Sequence, residues 1–97
     1  MRPVPEEDRA TRIKRLAMRS MRRGIKEMDI ILSRYAAARL DGLGDAQLAL
    51  YDRLLSENDQ DLYQWVTGQA PVPDPFRDLV AEIAMLSDAS RSAVAPQ

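Results

Sequence analysis

Apolar residues in this chain recur at spacings of three and four in five separate stretches, bounded by glycine, proline or an Asn-Asp pair. That period puts one apolar stripe on a helix, and no stretch alternates at the two-residue period of a strand. The pattern predicts an all-α fold, a single-domain five-helix bundle. A first helix is expected over roughly 9–22, with Ile13, Leu16, Ala17 and Met21 on one face, and Gly24 ends it as a left-handed cap. A second, over about 25–40, carries Met28, Ile31, Leu32, Tyr35 and Ala36 and stops at Asp41-Gly42. Leu48, Tyr51, Leu54 and Leu55 mark a third; Asn58-Asp59 then opens a fourth with Leu62, Trp65 and Val66, ending at Gly68. Pro71-Val72-Pro73 is a stiff connection, and Asp74-Pro75 starts the fifth helix, whose stripe is Phe76, Leu79, Val80, Ile83 and Leu86. From about Ser87 the chain is expected to fray.

Ninety-seven residues support one hydrophobic core. The expected organisation is a flexible segment over 1–8, a helical domain over 9–87 and a flexible tail over 88–97. The chain has no cysteine and no histidine. It therefore lacks disulfides, thiolate nucleophiles, and the commonest general base and metal ligand. Neither catalysis nor a metal site is expected. No apolar run reaches the length of a bilayer span, and Met1 to Asp8 hold prolines and acids where a signal peptide would be apolar. A soluble protein without membrane insertion, in a reducing compartment, fits these features.

Charge is unevenly spread. Residues 1–26 hold nine Lys/Arg against three Asp/Glu, and residues 27–97 hold five against twelve. A basic end of this kind attracts nucleic acid, anionic cofactors or acidic protein surfaces through the same field. Arg9, Arg12, Lys14, Arg15, Arg19, Arg22 and Arg23 could neutralise phosphates, but no nucleic-acid motif and no interleaved aromatic residue accompanies them. The acidic Asp52, Glu57, Asp59 and Asp61 do not match a calcium loop and read as caps and solvated faces. Trp65 and Phe76 lie on apolar stripes and read as core, with Tyr63 off the stripe.

The densest polar chemistry sits at Arg23-Gly24-Ile25-Lys26-Glu27, a glycine break between two helical patterns. Glu27 and Asp29, two apart on a helix, point in different directions and cannot share a proton. Arg23 and Glu27 have the spacing of a surface ion pair, worth a few tenths of a kcal/mol. The glycine between them weakens that pairing and leaves backbone accessible to a partner.

Residues 19–29, Arg-Ser-Met-Arg-Arg-Gly-Ile-Lys-Glu-Met-Asp, resemble the hallmark of the FAD assembly factors of succinate dehydrogenase. These are the bacterial SdhE proteins and their mitochondrial counterpart, succinate dehydrogenase assembly factor 2. The hallmark is Arg-Gly, two variable residues, Glu and, two further on, Asp. Leu54-Leu55, then Asp59-Gln60-Asp61-Leu62-Tyr63-Gln64-Trp65-Val66 and Gly68, is similar to the family's second signature. The resemblance covers roughly Ile13 to Leu86 and departs at Gly44, where the family commonly has a serine-like cap; local fraying is the expected consequence.

The resemblance implies a dedicated chaperone, not an enzyme. It implies binding to the flavoprotein subunit of succinate dehydrogenase, and in some bacteria that of fumarate reductase, while FAD becomes covalently attached to a histidine of that subunit. It places Arg23, Gly24 and Glu27 on the partner-binding surface, with Arg22, Arg19 and Asp29 as neighbours, and Leu62 and Trp65 in the core. Arg23 would offer a forked donor to the partner and Glu27 an acceptor. No glycine-rich dinucleotide loop is present, so no cofactor site of the chain's own is expected. The expectations extend to a free monomer and a cytoplasmic location, a mitochondrial version requiring a transit peptide longer than the residues before the first helix. The rival from another class is a small regulatory or antitoxin-like protein that binds a toxin or nucleic acid through its basic helix.

Overall fold

The structure, a computed structural model, describes residues 8–94 in backbone and 8–87 in side chains. Five α-helices carry the described fold: α1 Arg9–Arg19, α2 Lys26–Arg39, α3 Asp45–Leu55, α4 Asp59–Val66 and α5 Arg77–Val94. Single 3₁₀ turns extend α2 over Leu40–Gly42 and introduce α5 over Asp74–Phe76. The all-α expectation holds, and no strand occurs among the described residues. The flexible segment expected over 1–8 lies outside the described residues except for Asp8.

Local chemistry accounts for most boundaries. Asp8 caps α1 by accepting from the Thr11 N–H at 2.7 Å, and Asn58 caps α4 by accepting from the Gln60 N–H at 2.8 Å. Gly44 stands at the start of α3 without a side-chain cap, yet the Leu48 N–H donates to its carbonyl at 2.9 Å and the first turn is intact. Gly68 ends α4 in the left-handed conformation, with φ of 80°.

Two boundaries differ from the sequence pattern. Helix α1 stops at Arg19, earlier than the apolar spacing through Met21 implies; Ser20, fully buried and bonded to Leu16 and Tyr51, keeps helical dihedrals as its C-cap, and the chain leaves the helical path by Arg22. The left-handed residue of that turn is Arg22, with φ of 55°, and not Gly24. At the other end, α5 continues as helix to Val94, past Ser87 where fraying was expected.

Helix α2 is the hub, packing on α1, α4 and α5. Its buried residues Met28, Leu32 and Tyr35 meet Leu16 of α1, Leu48, Tyr51 and Leu54 of α3, Leu62 of α4 and Ile83 of α5 in one core. Removing this much apolar surface from water is the main favourable term in the fold. Tyr35 and Tyr51 pack with ring centroids 5.3 Å apart. Trp65 and Phe76 pack at 6.0 Å, with the Arg53 guanidinium 5.7 Å above the Phe76 ring. Trp65 is half-buried at the edge of the core, and Leu62 is within it.

Candidate functional site

The corner between α1 and α2 is built around a carboxylate from a different helix. Asp59, the first residue of α4, accepts from Arg23 Nε at 2.8 Å through Oδ1 and from the Gly24 N–H at 2.6 Å through Oδ2. Arg23 Nη2 also lies 2.8 Å from Oδ1 and donates to the Leu55 carbonyl at 3.1 Å, while Nη1 donates to the Arg19 carbonyl at 2.9 Å. Both side chains are largely out of water, at 11% and 17% exposure. Every donor edge of the guanidinium is thus engaged within the fold, in a charge-assisted arrangement that water screens little. A Cβ on Gly24 would stand 3.0 Å from Asp59 Oδ2. The glycine is needed for close approach, with no left-handed backbone involved.

Neighbouring groups secure the same corner. Arg15 bonds Asp52 at 3.0 Å, and Arg19 bonds both Asp52 and the Ser56 hydroxyl, tying α1 to α3. Burial pushes the Asp52 carboxyl up, but the two guanidinium groups outweigh it and hold the group below its ordinary value. Ser20 Oγ donates to the Leu16 carbonyl at 2.8 Å and is 2.6 Å from the Tyr51 hydroxyl. With the serine proton so used, Tyr51 donates to Ser20. Asp29 accepts from the Arg22 N–H at 3.0 Å and from the Ser33 hydroxyl at 3.3 Å, bracing the left-handed turn.

The expected site residues therefore divide. Arg19, Arg23 and Asp29 are half-buried against partners in the fold, Gly24 is exposed with its N–H held by Asp59, and Arg22 and Glu27 face solvent. Arg23 pairs with Asp59 and not with Glu27, so the (i, i+4) pairing is absent and the forked donor expected to face a partner is committed at home. Glu27 makes no hydrogen bond or ion pair with any described residue. It lines a groove of about 370 Å³. Ile30, Ile31 and Arg34 of α2, Tyr63 and Val66 of α4, Thr67, and Ala84 and Ser87 of α5 line it as well.

Sequence reasoning missed Asp59 as the anchor of Arg23, since an acid at a helix start reads as a cap. The basic face of α1 is also less free than its composition implies. Arg15 and Arg19 are ion-paired with Asp52, Arg23 just beyond the helix is ion-paired with Asp59, and Arg9 donates to the Asp41 carbonyl at 2.7 Å. Among the described residues no cluster of carboxylates could hold a metal ion, and no helix is long and apolar enough to cross a membrane.

Comparison with known proteins adds to this geometry. A family model described as flavinator of succinate dehydrogenase matches residues 14–87. The mitochondrial succinate dehydrogenase assembly factor 2 of Meyerozyma guilliermondii is 47% identical over 75 residues, covering 74% of this chain and 56% of its own. That of Scheffersomyces stipitis is 41% identical over 83 residues, covering 80% and 56%, and that of Drosophila virilis 39% over 74, covering 74% and 47%. The chain spans about half the length of the curated relatives it matches. Their names correct the cytoplasmic location expected from the sequence, since all three are mitochondrial proteins. The physical reason is that a helical bundle is the same in either compartment; location is set by targeting segments, which the fold does not encode.

Proposed function

The chain belongs to the family of flavinators of succinate dehydrogenase, and on that premise we propose that it binds the enzyme's flavoprotein subunit and promotes covalent attachment of FAD. The family match over most of the helical domain carries this reading. The geometry adds how the chain would act: it contributes a rigid contact surface, while FAD and the attachment chemistry reside in the flavoprotein subunit. Its own residues do the positioning. Asp59 clamps Arg23 and Gly24, Asp29 braces Arg22, and the corner so fixed presents Glu27 to the partner. Preorganisation of this kind lowers the ordering entropy that association must overcome.

Glu27 is the cleanest probe, because it is exposed and makes no hydrogen bond or ion pair with any described residue. Tagged wild-type protein should retain the flavoprotein subunit on a column. Glu27→Ala, with unchanged circular dichroism and melting temperature, should bind it roughly tenfold less tightly. Undiminished binding by Glu27→Ala would remove the corner from the contact surface.

A further inference from the structure

We propose that Glu82 is a switch between α2 and α5: its carboxylate serves either the Arg39 guanidinium or the buried Tyr35 hydroxyl, and the structure shows the first of these two arrangements. Tyr35 and Arg39 stand four residues apart on α2, one turn along the same side of the helix. Helix α5 packs along α2, and Glu82 reaches across to form an ion pair with Arg39. That pair sits at the rim, with Arg39 46% and Glu82 31% exposed. Ile83, the next residue of α5, enters the same core as Tyr35.

Tyr35 is the anomaly at this junction. It is 1% exposed, its ring packs on that of Tyr51, and its hydroxyl has no hydrogen-bond partner among the described residues. Tyr51, just as deeply buried, is bonded to Ser20. A buried hydroxyl left unpaired forfeits the bonds it made with water, and folded proteins seldom keep one. The acceptor at hand is Glu82. Burial first, and then the charge of Glu82, raise the Tyr35 phenol above its ordinary value of 10.0, while Arg39 opposes them. Both groups of the ion pair therefore lie close enough to be felt at the hydroxyl.

Two donors compete for one carboxylate. Facing Arg39, Glu82 keeps part of its water and gains a half-exposed ion pair, which contributes little, while Tyr35 stays unsatisfied. Turned toward Tyr35, it satisfies the phenol with a charge-assisted bond but gives up water, and the long Arg39 side chain returns to solvent. Gains and losses offset in both directions, so a small perturbation decides which donor is served.

The test is a double-mutant cycle on the whole chain, with unfolding by denaturant followed for wild type, Tyr35→Phe, Arg39→Ala and the double variant. With Arg39 in place, Tyr35→Phe removes a hydroxyl that bonds nothing, and the folding equilibrium constant should be unchanged or higher. With Arg39→Ala, Glu82 turns to the phenol, and adding Tyr35→Phe should lower that constant roughly fivefold. Salt gives the same comparison without touching Arg39: at about 1 M sodium chloride, which screens the exposed pair, Tyr35→Phe should become destabilising relative to wild type. An equal loss from Tyr35→Phe in both backgrounds would show that the hydroxyl already has a permanent partner, whether an internal water or Glu82 itself, and would overturn the switch. No loss in either background, and none at high salt, would overturn it as well, since Glu82 would then never serve Tyr35.

Discussion

Asp59 shows how one side chain decides what its neighbours mean. Its two oxygens receive a guanidinium and a backbone amide at once, so Arg23 and Gly24 act as a unit with it. Removing the arginine leaves a carboxylate mostly buried and unpaired, and Arg23→Ala should destabilise the fold by about 3 kcal/mol in denaturant melts. Gly24→Ala should also destabilise, through crowding of Asp59 Oδ2, and the penalty should shrink in an Asp59→Ala background; equal penalties in both backgrounds would show that Gly24 acts elsewhere. The Ser20 and Tyr51 pair makes a finer prediction. Ser20→Ala strands the buried Tyr51 hydroxyl and should cost about 1–3 kcal/mol, whereas Tyr51→Phe leaves Ser20 bonded to Leu16 and should cost about 1 kcal/mol. Burial pushes the Tyr51 phenol up to about 12 against an ordinary value of 10.0, despite the nearby arginines. The unfolded chain therefore releases this proton first. Stability should be intact below pH 10 and fall between 10 and about 12, and Tyr51→Phe should flatten that decline in alkaline melts.

Among the elements, α2 was the most legible in the sequence, because its stripe from Met28 to Ala36 repeats cleanly and each of those residues except Ile31 is buried. The end of α1 was the least. Apolar spacing carried the helix on to Met21, but the chain leaves the helical path by the left-handed Arg22, and an arginine in that conformation carries no periodic signal. The same limit explains why Gly24 was read as a left-handed cap while Arg22 holds that conformation: a contact with Asp59, far along the chain, is invisible to local pattern. Gly68 was read correctly as the end of α4, and its φ of 80° gives it a measurable consequence. Gly68→Ala should lower stability by about 1 kcal/mol, and a neutral result would mean the turn has another favourable path.

At the scale of the molecule, the charge asymmetry of the sequence is folded inward. Arg15 and Arg19 of α1 meet Asp52 of α3, and Arg23 of the α1–α2 corner meets Asp59 of α4, so the ends that looked separately basic and acidic neutralise one another at the helix junctions. Because Asp52 is held below its ordinary value, the stability it contributes is present above the unfolded carboxylate range and lost as pH falls through its lower folded value. Acid melts of wild type against Asp52→Asn should converge at low pH. What this internal pairing leaves outward is Glu27 and the groove beside it. Family membership was legible in two short signatures; the division of those signatures into clamp and contact surface required the third dimension. The most direct test is made in a strain lacking this gene, by measuring covalent flavin fluorescence of the succinate dehydrogenase flavoprotein subunit in denaturing gels. Wild type should restore the signal and folded Glu27→Ala should restore less of it; undiminished flavin in the strain without the gene would contradict the proposed role.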